Sequence, residues 1–504
     1  MVRLNLEKLP HKTKQSSLLI VISGFMSKLL AASYRIPYQN LVGDRGFYAY
    51  QQIYPLLGII SALGLTALPN VIASMAQKKK QLQLAALFKL QCCTSFLLSG
   101  ILVLSHKALA SWMGAQQLAP SIIITAMVLL TIPFISFYRG LAQADMNMAP
   151  TALSQVLEQI IRVAIIIAAA LCYSVFGWTV YVTANVAAFG NLVASLVILA
   201  YLKRHSAYSL KSFFSEDTVA IRDLTSLGLP TLVFLLFSVY LLVFQLVDSL
   251  LVKNILVNSG LSELTAEMTK GVYDRGQPLL QFGLIFSTAL FTAYLPNLTA
   301  LFHVEREIYK EQSQCFFEFI FYFSLTLTVG FISILHLMNR ALFEDNKGWL
   351  ALVIYLMIIA VSSMIQFFHQ KCFIEDHIKQ SLLILLFGFL LKLGLTPILT
   401  YYYAIVGSSL STLIPLLVVL LLYTVLADID FKAIVNAKYG LALVIMLMCV
   451  LTSQYCLPLS GRLGALISLL VSSAVGLSSF LIACKKLDIF KEKLWSFLPF
   501  VKEK

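Results

Sequence analysis

The sequence predicts an all-α integral membrane protein with fourteen transmembrane helices: two pseudo-symmetric six-helix lobes followed by two C-terminal helices. Three observations lead there. Hydrophobic residues make up 59% of the 504 positions and charged residues only 12%, with a mean hydropathy of +0.85. A soluble chain of this length needs far more polar surface to cover itself. Apolar runs of about 17–25 residues, the length that crosses a bilayer as a helix, recur from one end to the other. A long motif also occurs twice. Asp44-Arg45-Gly46 leads to Leu68-Pro69-Asn70, and Asp274-Arg275-Gly276 leads to Leu295-Pro296-Asn297. Phe137-Tyr138 and Arg162 recur in the same register as Phe367-Phe368 and Lys392. A long repeat in an apolar chain points to a transporter built from two similar lobes.

Taken in order, the spans are read at 16–36, 47–76, 84–105, 119–143, 151–174, 178–202, 226–252, 276–302, 315–338, 349–370, 381–401, 405–427, 439–457 and 463–484. An even number puts both termini on one side. With that side cytoplasmic, 24 of the 37 basic residues lie inside and eight outside, as the positive-inside rule requires. The repeat copies begin in spans 2 and 8, so they cross the bilayer in the same direction. Parallel copies imply a pseudo-two-fold axis along the membrane normal and a cavity between the lobes. The resulting organisation is a first lobe at 1–202, a cytoplasmic linker at 203–225 and a second lobe at 226–427. Spans 13 and 14 follow at 428–484, outside the repeat, and a basic amphipathic tail at 485–504 is expected to lie on the inner surface. Pro55, Pro69, Pro133, Pro230 and Pro296 fall within or near the starts of spans, where proline permits bending.

Several function classes are excluded. Met1–Gln15 is polar and basic and the first apolar run is long enough to span, so no cleavable signal peptide is expected. The eight cysteines show neither metal-ligand spacing nor a disulfide framework. The net charge of +13 follows from membrane orientation and does not call for nucleic acid. Catalytic and metal-binding signatures are absent, and the short loops leave no room for an ATPase domain.

Ionisable groups inside spans are costly, so they face a wet cavity or a partner. Lys28, Arg35, Lys89, Arg162 and Lys392 are the cations, and Glu158, Asp248 and Glu318 the anions. Their balance of two positive charges favours an anionic passenger. Lys28 and Arg35, seven residues apart, share one face of span 1 and form a cationic stripe suited to phosphate oxygens. The alternative for Arg35 is snorkelling to the outer interface. Gln155, Glu158, Gln159 and Arg162 form a polar stripe on span 5, with Glu158 and Arg162 spaced for an i,i+4 ion pair that is either part of a cavity or purely structural. Lys392 has Gly388 at i−4 where Arg162 has its acid, and it is expected to stay available to an anion. Asp248 either binds a coupling proton or sodium ion or forms a salt bridge with a cavity cation. Lys89 and Glu318 reach the inner interface.

Ser27-Lys28-Leu29-Leu30, Tyr34-Arg35-Ile36-Pro37, Gly43-Asp44-Arg45-Gly46, Tyr50-Gln51 and Tyr54-Pro55 resemble the start of the polysaccharide-flippase branch of the multidrug/oligosaccharidyl-lipid/polysaccharide exporter superfamily. So do Arg139-Gly140, Gln143, Met148-Ala149-Pro150-Thr151-Ala152, Ser154-Gln155, Glu158-Gln159 and Arg162. Within the branch the chain is similar to stage V sporulation protein B-like proteins, relatives of the MurJ-type lipid II flippases. The resemblance implies a fourteen-helix flippase in the bacterial cell membrane. It would turn an undecaprenyl-pyrophosphate-linked saccharide, foremost the peptidoglycan precursor lipid II, from the inner to the outer leaflet by alternating access. It implies a groove for the lipid tail along helices 13 and 14, no cofactor, and coupling to membrane potential, H+ or Na+. Its partners would be membrane lipids and cell-wall synthesis proteins. Pyrophosphate would be held by Lys28, Arg35 and Arg275, with help from Arg162 and Lys392. The cation that lipid II flippases carry on helix 2 has no counterpart, because Gly58-Ile59-Ile60 is apolar. The rival readings are a flippase for another surface polysaccharide or a teichoic-type lipid-linked oligosaccharide, a cation-coupled multidrug exporter, and a non-transporting scaffold.

Overall fold

A computed structural model describes residues 24–27, 29–77, 81–206, 208–210, 213, 228–430, 434, 436–457 and 460–489. Among them every regular element is helical. That is the solution open to long apolar segments, because a helix satisfies its own backbone hydrogen bonds without water. Lys28, most of the 203–225 linker and the tail beyond Ile489 lie outside the described residues.

The helices are α1 (Arg35–Ala62), α2 (Leu68–Gln77), α3 (Gln81–Trp112), α4 (Ala119–Ala144), α5 (Ala149–Phe176), α6 (Val180–His205), α7 (Gly228–Asn258) and α8 (Glu263–Asp274). They continue with α9 (Gly276–Val304), α10 (Arg306–Phe343), α11 (Trp349–Leu356), α12 (Ile358–Ile374), α13 (Ile378–Leu426), α14 (Ala437–Cys456) and α15 (Gly461–Lys486). By their contacts they form two compact units. One runs to Asp274 and takes in Lys392–Ala404; the other comprises Arg275–Leu391 and the chain from Ile405 onward.

Among the described residues eleven helical stretches are long and apolar enough to cross a membrane, so the expected fourteen is met only in part. Two of the eleven are double length: Gly24–Gln77 with 54 residues and Ile378–Leu426 with 49. Each turns at a single residue instead of through a loop. Gly43 (φ 70, ψ −178) breaks the first and Ala404 (φ 47, ψ −133) the second. Glycine enters this half of backbone space at no steric cost, whereas alanine does so under strain. α9 is not among the eleven, although its 29 residues contain no Asp, Glu, Lys or Arg.

In the first unit α1 is central, and α5, α6, α7 and α8 all pack on it. Phe47, Tyr48, Tyr50, Ile53 and Leu57 make its share of the core. Gln52 joins three segments, donating from Nε2 to the carbonyls of Met113 (2.7 Å) and Ser249 (3.0 Å). Between α1 and α2 the chain widens into a π turn at Leu63–Ala67, a local distortion that sets main-chain carbonyls askew from the regular ladder. In the second unit the 38-residue α10 is central, with α9, α12, α14 and α15 around it.

Candidate functional site

The two arms on either side of Gly43 face each other through tyrosines. Tyr34 and Tyr38 lie one turn apart on the first arm, and Tyr50 and Tyr54 one turn apart on the second. The Tyr34 and Tyr50 hydroxyls are 3.1 Å apart, and the Tyr38 and Tyr50 rings are 5.2 Å centre to centre. Arg35 lies among them, its guanidinium carbon 4.0 Å from the centre of the Tyr54 ring. This is a cation–π contact in a site shielded from solvent. Arg35 is fully buried, so it does not snorkel to the interface. Its Nε, Nη1 and Nη2 have no hydrogen-bond partner among the described residues.

A second cluster stands beside the π turn. Glu158 accepts from Arg162 Nη2 at 2.6 Å through one oxygen and from Arg139 Nη2 at 3.1 Å through the other. Arg139 also donates to the Ser154 hydroxyl (2.9 Å) and the Gly64 carbonyl (3.4 Å). Gln155 donates to the Leu65 carbonyl (3.4 Å), so the carbonyls of the π turn are used by polar side chains of α4 and α5. Gln159 is buried beside them, and its Nε2 has no partner among the described residues. Tyr34, Tyr50 and Tyr54 stand within electrostatic range of both Arg35 and Arg162.

The third cluster joins α7, α8 and α13. Asp248 accepts from Lys392 through one oxygen and from the Tyr273 hydroxyl, at 2.8 Å, through the other. Lys392 was expected to stay available to an anion, but here it is fully buried against a carboxylate. With Gly388 at i−4 its counter-ion comes from another helix. Next to this pair Lys270 donates to Asp274 at 2.5 Å. Burial pushes the Asp274 carboxyl up to about 6, against the opposing pull of the Lys270 ammonium. Arg35 lies within electrostatic range of Asp274. Within the first unit Arg35 thus shares its tyrosines with Arg162 and is coupled electrostatically to Asp274.

Arg275 belongs to the other unit, where it forms a bidentate pair with Asp345 (2.5 and 3.2 Å). The structure thus assembles Arg35, Arg162, Lys392, Glu158, Gln155, Gln159 and Asp248 in one unit and Arg275 in the other. Lys28 lies outside the described residues. The second unit also holds an apolar groove of about 160 Å³ between α10, α14 and α15, lined by Gly330, Ile334, Val450, Gly476 and Phe480 among others.

Three site residues were not anticipated from the sequence. Arg139 sits at the end of an apolar run, where the sequence alone places it at the cytoplasmic face, yet it is 1% exposed. Its signal was present in Ser154 and Glu158, polar residues one turn apart on the next span. Lys270 and Asp274 carried the i,i+4 spacing of an ion pair but lay outside every predicted span.

These features define a class: a multi-pass helical membrane transporter with a buried, charged interior. Solved structures share the fold. The lipid II flippase MurJ in its inward closed conformation superposes with a TM-score of 0.68 at 15% identity, over 94% of this chain and 100% of that one. An inward-facing multidrug resistance MATE transporter of the MOP superfamily gives 0.61 at 14% identity, over 83% and 98%. At such identities the likeness shows the fold alone. Residues 13–302 match the polysaccharide biosynthesis protein family, and the chain belongs to that family. It is a membrane transporter and not an enzyme. Its relatives in Bacillus subtilis (strain 168) include the uncharacterized membrane protein YabM, 30% identical over 97% of this chain and 95% of that protein. The lipid II flippase MurJ of the same organism is 27% identical over 37% of this chain and 38% of its own length. Stage V sporulation protein B is 24% identical over 43% and 45%.

Proposed function

We propose that this protein is a flippase for an undecaprenyl-pyrophosphate-linked saccharide, with lipid II as its passenger, moved from the inner to the outer leaflet by alternating access. The observation that carries the reading is the buried Arg35 guanidinium. Its three nitrogens lack partners among the described residues, and it stands in electrostatic range of the same tyrosines as Arg162. A desolvated cation with unused donors needs an anionic, acceptor-rich ligand. A pyrophosphate diester, with about two negative charges, is attracted strongly in a site of low polarity.

In this reading Lys28, Arg35 and Arg162 take the pyrophosphate. Lys392 joins them when the passenger competes with Asp248; Arg275, in the other unit, is held by Asp345. Gln155 and Gln159 line the path, and the groove between α10, α14 and α15 takes the lipid tail. The chain would cross the membrane fourteen times: eleven stretches, two of them counted twice because of the breaks at Gly43 and Ala404, and α9. Both termini would be cytoplasmic. The energy would come from the membrane potential, at about 2.3 kcal/mol per charge per 100 mV, or from H+ or Na+.

The test is depletion of the protein in its own host, with any redundant flippase deleted, followed by measurement of lipid II accessible at the outer leaflet. Restored wild type should recover it, and Arg35→Ala, expressed to the same level, should not. Persistent lipid II export with loss of another surface polymer would transfer the assignment to that polymer's lipid-linked precursor. Unchanged surface polymers with lost drug tolerance would favour multidrug export.

A further inference from the structure

Two arginines share one buried glutamate at the π turn. Read along the chain, Glu158 and Arg162 are a self-neutralising i,i+4 pair, and Arg162 has no charge to spare for a ligand. The third member changes that reading. Arg139 takes the second oxygen of Glu158, so the cluster holds two guanidiniums for one carboxylate and keeps one positive charge. The two arginines are also not equivalent. Arg139 uses all three of its nitrogens, on Ser154, Gly64 and Glu158. Arg162 gives Nη2 to Glu158 and Ser61, while its Nε is buried with no partner among the described residues. The surplus charge and the unused donor therefore both reside on Arg162.

We propose that Arg139 is a positioning residue that keeps Arg162 available to the passenger. By holding half of Glu158, it prevents the carboxylate from neutralising Arg162 and steers Arg162 Nε toward the tyrosines that also surround Arg35. The hydroxyls of Tyr34 and Tyr50 complete this site. One proton is shared between them across 3.1 Å, and the other remains to be donated to an acceptor lying between the two arginines. Arg35 and Arg162, each carrying a net charge and a hydroxyl between them, make a site with two anion-binding ends. That matches a group with two linked phosphates better than a single phosphate. The inference rests on the pyrophosphate reading given above and names how the same site selects its ligand.

The experiment measures binding of undecaprenyl pyrophosphate and of undecaprenyl phosphate to the purified full-length protein in nanodiscs, with melting temperature recorded for each variant. Arg139→Gln should bind undecaprenyl pyrophosphate about tenfold more weakly, because Glu158 then belongs to Arg162 alone. Glu158→Gln should bind it more tightly. The double variant Arg139→Gln/Glu158→Gln should recover at least the wild-type affinity, although Arg139 is still missing. A strut predicts otherwise: the double variant would stay as weak as Arg139→Gln. That result would overturn the proposal, as would equal binding of the two lipids by the wild type. Should Arg139→Gln fail to fold, Glu158→Gln decides alone, since weaker binding there contradicts a competing carboxylate. If the wild type binds neither lipid, the passenger reading itself falls and takes this inference with it. If the wild type binds the pyrophosphate and Arg139→Gln does so equally well, only the role of Arg139 is lost.

Discussion

A single missing side chain decides how α8 meets α1. A Cβ built on Gly271 would sit 2.0 Å from the Asp44 carbonyl oxygen, a separation no non-bonded pair of heavy atoms tolerates. Because the obstruction is backbone, it cannot swing aside as a side chain would. The close approach has neighbours that depend on it. Arg45 pairs with Glu267 at 2.6 Å, and the Tyr181 hydroxyl donates to the same carboxylate. Arg45 is half exposed, so its ion pair is worth little by itself; the docking of α8 is what places it. Gly271→Ala is expected to cost about 2–3 kcal/mol, the upper range for overpacking. The check is thermal unfolding combined with limited proteolysis, in which α8 should become cleavable before the rest of the chain melts. A variant as stable and as resistant as wild type would mean that α8 does not lie on this turn.

At the scale of elements, the two sharp reversals use different residues for one task. Gly43 takes a positive φ freely, whereas Ala404 takes φ 47 with a Cβ in the way. Such a conformation costs of the order of 1–3 kcal/mol. Ala404→Gly should therefore stabilise the protein by about 1 kcal/mol, less than the strain itself because glycine also loosens the unfolded chain. A higher melting temperature for the purified variant checks it, and a lower one would show that the backbone there is relaxed. Gly43→Ala should act in the opposite direction by a similar amount. The reversals also explain why counting apolar runs and counting helices disagree. Hydropathy marks one span on each side of each break, but the chain leaves no loop to separate them.

For the whole molecule, the repeat and the packing divide the chain at different places. The repeated motifs divide it near the 203–225 linker, while contacts hold α7 and α8 against α1 and part the chain at Asp274 and Arg275. The second copy's first helix thus belongs by contact to the first copy's unit. Orientation is a property at this scale, and it follows from the distribution of basic residues. In a background lacking the eight native cysteines, Lys347→Cys should react with a membrane-impermeant maleimide on intact cells. Arg306→Cys should react only after permeabilisation. The reverse pattern would invert the topology and the direction of transport with it.

Much of the site was visible as composition: Arg35, Glu158, Arg162, Asp248 and Lys392 stand out because a charge in an apolar run is conspicuous wherever the run ends up. Their partners were not visible. Helical periodicity pairs a residue with those three or four positions away, which is how Glu158 and Arg162 were matched. It cannot reach from Arg139 to Glu158 across 19 residues, from Asp248 to Lys392 across 144, or from Arg45 to Glu267 across 222. By itself, then, the sequence determined that this is a helical membrane protein with a net-positive buried interior, because span length and the cost of burying charge are local properties. Which cation is neutralised and which keeps its charge was decided only by the tertiary structure, because a buried ion takes as its partner whatever carboxylate the packing of distant helices brings within reach.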